Sequence, residues 1–136
     1  MADATAIELE RQLPFPPAAV WAALTEPGLH ARWWAAGDVR PVPGHRFELD
    51  MGAFGAQACE VLAVEPERLF SIRFAVGQLD STLTWRLTPA EDGTRLGLVH
   101  GGFNLEQESG RRALAGMGRG WPSVLQRLAA LLEAEQ

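Results

Sequence analysis

Between Ala6 and Leu13 apolar and acidic side chains take turns, Ile7 and Leu9 against Glu8 and Glu10. That period of two predicts a strand with one buried face. Pro14, Pro16 and Pro17 end it. The next segment, PPAAVWAALTEP, opens on prolines, which a helix accepts in its first turn because the missing N–H has no partner there. Val20, Trp21 and Leu24 give it one apolar face, Pro27 closes it, and GLHARWW predicts a further helical turn or two before Gly37. The two short helices form a V-shaped pair.

From residue 45 the period returns to two. HRFELDM sets Phe47, Leu49 and Met51 on one face and Arg46, Glu48 and Asp50 on the other, and GAFG makes a turn. GAQACEVLAVEP is a second strand of this set, ending at Pro66. LFSIRFA is a third, with Phe70, Ile72 and Phe74 together. STLTWRLTP places Leu83, Trp85 and Leu87 inward and Thr82, Thr84 and Arg86 outward. AEDG turns the chain, and TRLGLVHGGF follows with Leu96, Leu98 and His100 on one face. By the same alternation Glu48, Glu60, Arg73, Asp80 and Arg86 point outward.

After the acidic link NLEQESG the period becomes 3.6. On a helix from Leu114 to Leu132, Leu114, Met117, Trp121, Val124, Leu125, Leu128, Leu131 and Leu132 fall within an arc of roughly 120°. Arg119, Ser123, Gln126, Arg127, Ala130 and Glu133 take the other side. Pro122 interrupts this run, so a kink is expected there, with helix on both sides; a helix beginning only near Trp121 is the alternative.

Consecutive strands joined by short turns make an antiparallel sheet. A sheet that long curls, and its concave face needs cover. The long helix is the one element able to give it. The fold class is therefore α+β: a curved antiparallel sheet of about six to seven strands wrapped around a C-terminal helix, with two short helices after the first strand. Residues 1–136 form one domain, with a ligand cavity expected between sheet and helix.

Composition narrows the function classes. The formal net charge is −5, and all twelve basic residues are arginine. Without lysine there is no Schiff-base catalysis and no Walker-type phosphate loop. Net acidity argues against a nucleic-acid partner. No apolar run approaches the roughly 20 residues that span a bilayer, so no membrane insertion is expected. The N-terminal residues lack a secretory pattern, and the single cysteine, Cys59, forms no internal disulfide. Both features favour the cytoplasm. His30, His45 and His100 are scattered without ligand spacing, so neither a metal nor another cofactor is expected. GMGRG lacks a preceding strand and a third glycine and is a false dinucleotide match. Arg111, Arg112 and Arg119 read as a solvated helix face, and Cys59 as a small strand hydrophobe.

The order of elements and the local words together resemble the START-like superfamily, also called SRPBCC or helix-grip. Within it they come closest to the branch named after the activator of the heat-shock-protein ATPase. The matching positions begin with Pro17, Val20, Trp21, Ala23, Leu24, Thr25, Trp33 and Trp34. They continue through Pro43-Gly44 with Phe47, Glu60-Val61, Pro66-Glu67-Arg68-Leu69 and Gly93-Thr94-Arg95-Leu96. They end at His100, Gly102-Phe103, Gly120-Trp121, Leu125 and Leu128. His45 stands where the branch often has a second glycine, and Pro122 after Gly-Trp is a further departure.

The resemblance implies that the sheet–helix space is a binding cavity for a small apolar or aromatic molecule. Alternation gathers Phe47, Met51, Phe70, Phe74, Trp85, Leu98, Met117 and Trp121 there, with Trp33, Trp34 and Phe54 near the rim. The same side chains could simply plug the interior. His100, inward beside Leu98, is the one candidate acid–base residue, if it does more than satisfy its own hydrogen bonds. Three functions follow as expectations: ligand binding, a polyketide-cyclase or dehydratase-like reaction using His100, and a chaperone-ATPase-activating interaction module. A second polar group within hydrogen-bond reach of His100 would favour the enzyme. A monomer or a homodimer, paired through an edge strand such as Ile7–Leu13, is compatible with the pattern.

Overall fold

The chain folds as β1 (Ile7–Leu13), α1 (Pro17–Thr25), α2 (Pro27–Trp33), β2 (Ala36–Gly37), β3 (Arg46–Asp50), a 3₁₀ turn (Gly52–Phe54), β4 (Ala56–Glu65), β5 (Leu69–Phe74), β6 (Ser81–Ala90), β7 (Gly93–Gly101) and α3 (Glu108–Ala134). This computed structural model describes residues 6–135. The seven strands form one antiparallel sheet in the order β1-β7-β6-β5-β4-β3-β2. The expected helix-grip architecture is what is found. β2 escapes the sequence pattern because two residues, Ala36 and Gly37, are too few to alternate.

Alternation fixes which face is buried. Phe47, Leu49, Phe70, Ile72, Phe74, Leu83, Trp85, Leu87, Leu96 and Leu98 are all in the core, while Glu8, Glu10, Glu48, Arg73, Asp80 and Arg86 are exposed on the other side. Glu60 is half-buried on that outer side, 4.0 Å from Arg46. A bulge between Val61 and Ala63 shifts the register of β4 against β5 and turns Leu62 to solvent.

α1 and α2 both carry proline at their starts. α3 runs for 27 residues, beginning before Leu114 and continuing through Pro122 without a break in helical assignment. The start near Trp121 is thereby excluded. Its stripe is buried as predicted at Trp121, Leu125, Leu128, Leu131 and Leu132, whereas Leu114, Met117 and Val124 are only half-buried. Side-chain bonds that tie the helix down include Arg11 Nη2 to Gln126 Oε1 at 2.9 Å, Arg127 Nε to the Trp33 carbonyl at 3.2 Å, and Arg32 Nη1 to Glu135 Oε2 at 2.8 Å.

Two glycines set close approaches. Gly93, at φ +146°, closes the two-residue β6–β7 turn where a Cβ would run into the Leu13 carbonyl and the Phe15 amide. Gly110 lies in the first turn of α3, where a Cβ would strike the Asn104 carbonyl. It lets the preceding link fold tightly against the helix.

Candidate functional site

Rings carried by β5, β6, β7, α3 and the end of α2 meet between the concave face of the sheet and α3. Trp121 of α3 lies 5.6 Å from Trp85 of β6 and 5.9 Å from His100 of β7, centroid to centroid. Phe74 of β5 meets His100 edge-on at 5.8 Å, and Phe103, just past β7, tilts against it at 4.7 Å. Trp34, which ends α2, closes the group at 4.9 Å from Trp121 and 5.8 Å from Phe74. These distances are those of rings in mutual contact. The space is filled by its own lining.

At the centre is a hydrogen-bonded relay. His100 and Ser81 are fully buried and Trp121 nearly so. The Trp121 indole N–H can only donate, and it donates to His100 Nδ1 at 3.1 Å. In the neutral ring the proton must then sit on Nε2, which donates to Ser81 Oγ at 2.9 Å. Ser81 Oγ in turn faces the Phe74 carbonyl at 3.4 Å. Burial pushes the imidazole pKa down to about 4, and protonation of Nδ1 would confront the indole N–H with a second donor. His100 is therefore uncharged at neutral pH.

The direction of the relay decides its chemistry. A serine nucleophile needs the imidazole to accept its proton. Here the imidazole gives one, and the serine hydroxyl points at a carbonyl. Ser81 is the second polar group that would favour an enzyme, but its bond runs opposite to the direction nucleophilic activation requires.

The other sequence candidates separate. Trp33, expected at the rim, is 1% exposed, with its N–H on the Ala23 carbonyl at 2.8 Å. Adjacent helical residues lie about 100° apart, so only one of the tryptophan pair can stand at the edge; Trp34, half-buried, does. Phe54, also expected there, is 82% exposed. Bonds from the Gly52 amide to Asp50 Oδ1 and from the Met51 amide to the Gly55 carbonyl curl this turn away from the core. Phe47 stacks on His45 at 5.6 Å, and Phe70 meets Trp21 of α1 at 5.9 Å, so both belong to flanking parts of the core. Leu98 is buried beneath the rings, and Met51 and Met117 pack half-buried against the core.

Ser81 and Phe103 are additions. Ser81 was within reach of the alternation that places Leu83 and Trp85 inward. Phe103 follows Gly102 at φ +80°, beyond the end of the strand, where alternation no longer speaks. His30 is a third buried polar group, donating Nδ1–H to the Ala35 carbonyl at 2.7 Å, with its pKa lowered by burial. Cys59 is buried, and desolvation holds its thiol up at about 11. It is no thiolate nucleophile. Two surface depressions of about 390 Å³ lie elsewhere, one on the outer sheet face over Gly97, the other against Pro14–Pro17 and Gly93.

A model of the family described as activator of Hsp90 ATPase homolog 1-like protein matches residues 14–133. The chain belongs to that family. No curated protein matches the chain. Solved structures of the same fold include protein MLL2253 of Mesorhizobium loti, 36% identical over 96% of this chain and 98% of that one, with a TM-score of 0.86. CalU16 of Micromonospora echinospora is 29% identical over 96% of this chain and 77% of its own, with a TM-score of 0.76. DynU16, a putative protein in the dynemicin biosynthetic locus, is 25% identical over 98% of this chain but only 49% of its own, with a TM-score of 0.83. The activator of Hsp90 ATPase homolog 1-like fold here has, among its described residues, no helix long and apolar enough to cross a membrane.

Proposed function

We propose that the protein binds a small apolar or aromatic molecule between the concave sheet and α3. One observation carries this reading. The chain spends four large rings, Trp34, Phe74, Trp85 and Trp121, at the seam where β5, β6, α2 and α3 meet. A core needs only volume, and aliphatic side chains supply it; convergent ring faces around one neutral polar relay also suit a ligand site. The likeness to DynU16, from a biosynthetic locus, is consistent with a small-molecule role.

The enzyme reading draws on the buried Ser81–His100 pair and loses by the direction of its hydrogen bond. The interaction-module reading rests on the family's name. Occupancy is as a monomer or homodimer in the cytoplasm, where a lone reduced Cys59 is at home. The test is titration of the full chain with a library of apolar and aromatic compounds, followed by thermal shift and by the heteronuclear NMR spectrum. Saturable binding that perturbs Trp85, His100 and Trp121 supports the site. Binding that perturbs only the outer sheet face, or no binding at all, counts against it.

A further inference from the structure

A molecule entering between sheet and helix has to displace something, because rings already fill the space. The tryptophans there differ in how firmly they are held. Trp33 is anchored through its N–H to the Ala23 carbonyl and Trp121 through its N–H to His100. The Trp34 indole N–H has no hydrogen-bond partner among the described residues, and the side chain is half-buried.

The backbone around Trp34 is the opposite. Its amide donates to the His30 carbonyl at 3.1 Å. The carbonyl before it accepts Arg127 Nε at 3.2 Å, and the carbonyl after it accepts His30 Nδ1–H at 2.7 Å. The residue itself sits at φ −130°, ψ −76°, outside the helical and extended wells, where α2 breaks off toward β2. The main chain is pinned and the side chain is not. Rotation about χ1 and χ2 moves the indole without breaking a hydrogen bond.

What the indole covers is equally specific. It lies 4.9 Å from Trp121 at 51°, 5.8 Å from Phe74 at 31°, and 5.3 Å from His30 at 50°. Swinging it out exposes a slot walled by these three rings and by Trp33 at 6.1 Å, with His100 directly behind Phe74 and Trp121. Ring walls reward a ligand with π faces of its own. The slot has the size of the group that vacates it.

We propose that the Trp34 side chain is a removable stopper standing in the ligand's seat, and that the ligand is a flat aromatic molecule of about two fused rings. This rests on the sheet–helix space being the binding site. A stopper lowers the apparent affinity by the fraction of time it is out: at about 10% open, removing it tightens binding about tenfold.

The experiment uses the full chain labelled with 5-fluorotryptophan, whose five indoles give separate ¹⁹F lines. Trp34→Phe assigns the Trp34 line, and the probe is 2-naphthol. Expected is saturable binding to the wild type in which the Trp34 line moves furthest and takes on the solvent isotope shift of an exposed ring, while the Trp33 line, 6.1 Å away and buried, moves less and gains no isotope shift. Trp34→Ala is expected to bind about tenfold more tightly. Binding that leaves the Trp34 line in place, or that weakens in Trp34→Ala, makes Trp34 a wall and overturns the stopper while keeping the site. Binding to Trp34→Ala alone shows an indole that never leaves, which also overturns it. No binding to either protein removes the site along with the stopper. The wild-type ¹⁹F readout stands even if Trp34→Ala does not fold.

Discussion

Acidification should destabilise this protein through His100, because a buried imidazole resists the proton that the unfolded chain accepts. The imidazole is held neutral in the native state, with its pKa at about 4 against the ordinary 6.5. Above pH 6.5 neither state takes the proton, and the residue contributes no pH dependence. Below that, the unfolded chain binds a proton that the native chain refuses. Stability is thus fully present above 6.5 and is lost as pH falls toward 4. Integrating the linkage from pH 8 to pH 5 gives about 2 kcal/mol. Burial of the other buried histidine, His30, acts in the same direction, so the wild-type slope alone does not isolate His100.

His100→Asn does. The amide oxygen can stand near the Nδ1 position to accept the Trp121 N–H, and it does not titrate. Urea unfolding of wild type and variant at pH 8 and pH 5 gives two stability gaps. The gap should shrink by about 2 kcal/mol at the lower pH, because only the wild type loses the His100 contribution. An unchanged gap would mean a native imidazole titrating normally, and the buried relay would be wrong. A wider gap would mean that the fold prefers the imidazolium.

Trp121→Phe keeps the ring and removes the donor, leaving His100 Nδ1 buried without its partner. It should cost about 1–3 kcal/mol in denaturant unfolding while the His100 pKa stays near 4 in an NMR titration, because burial holds it down; a pKa that rises toward 6.5 would assign the depression to the indole N–H instead. Leu128→Ala, at a fully buried position on α3, should cost about 2–5 kcal/mol in the same assay. Gly93→Ala forces a Cβ into the Leu13 and Phe15 backbone at φ +146°, so the thermal midpoint should fall well beyond the effect of an ordinary surface change. Phe54→Ser, at a side chain that is 82% exposed, should change stability by about 0.5 kcal/mol or less.

The fold was legible because its periods are clean. The alternation through Phe47–Leu49, Leu83–Trp85–Leu87 and Leu96–Leu98–His100 names the buried face strand by strand, and the arc from Trp121 to Leu132 names the covering stripe. The site was legible only in part, for three physical reasons. Alternation says which face a residue takes but not which neighbour it meets, so Phe47 and Phe70 were grouped with rings they do not touch. Loop geometry is set by local bonds such as Gly52 to Asp50, which turned Phe54 outward. A hydrogen bond also has a direction that residue types do not reveal. His100 beside Ser81 reads as a catalytic pair until the Trp121 N–H fixes the tautomer.

The central claim is that this space holds a ligand, and native mass spectrometry of the full chain purified from its own host tests it most directly. Expected is a bound small apolar or aromatic molecule, released on denaturation, whose binding Trp121→Ala alters. A bare protein that also takes up nothing from a broad apolar and aromatic library would contradict the claim and leave the ring cluster as core.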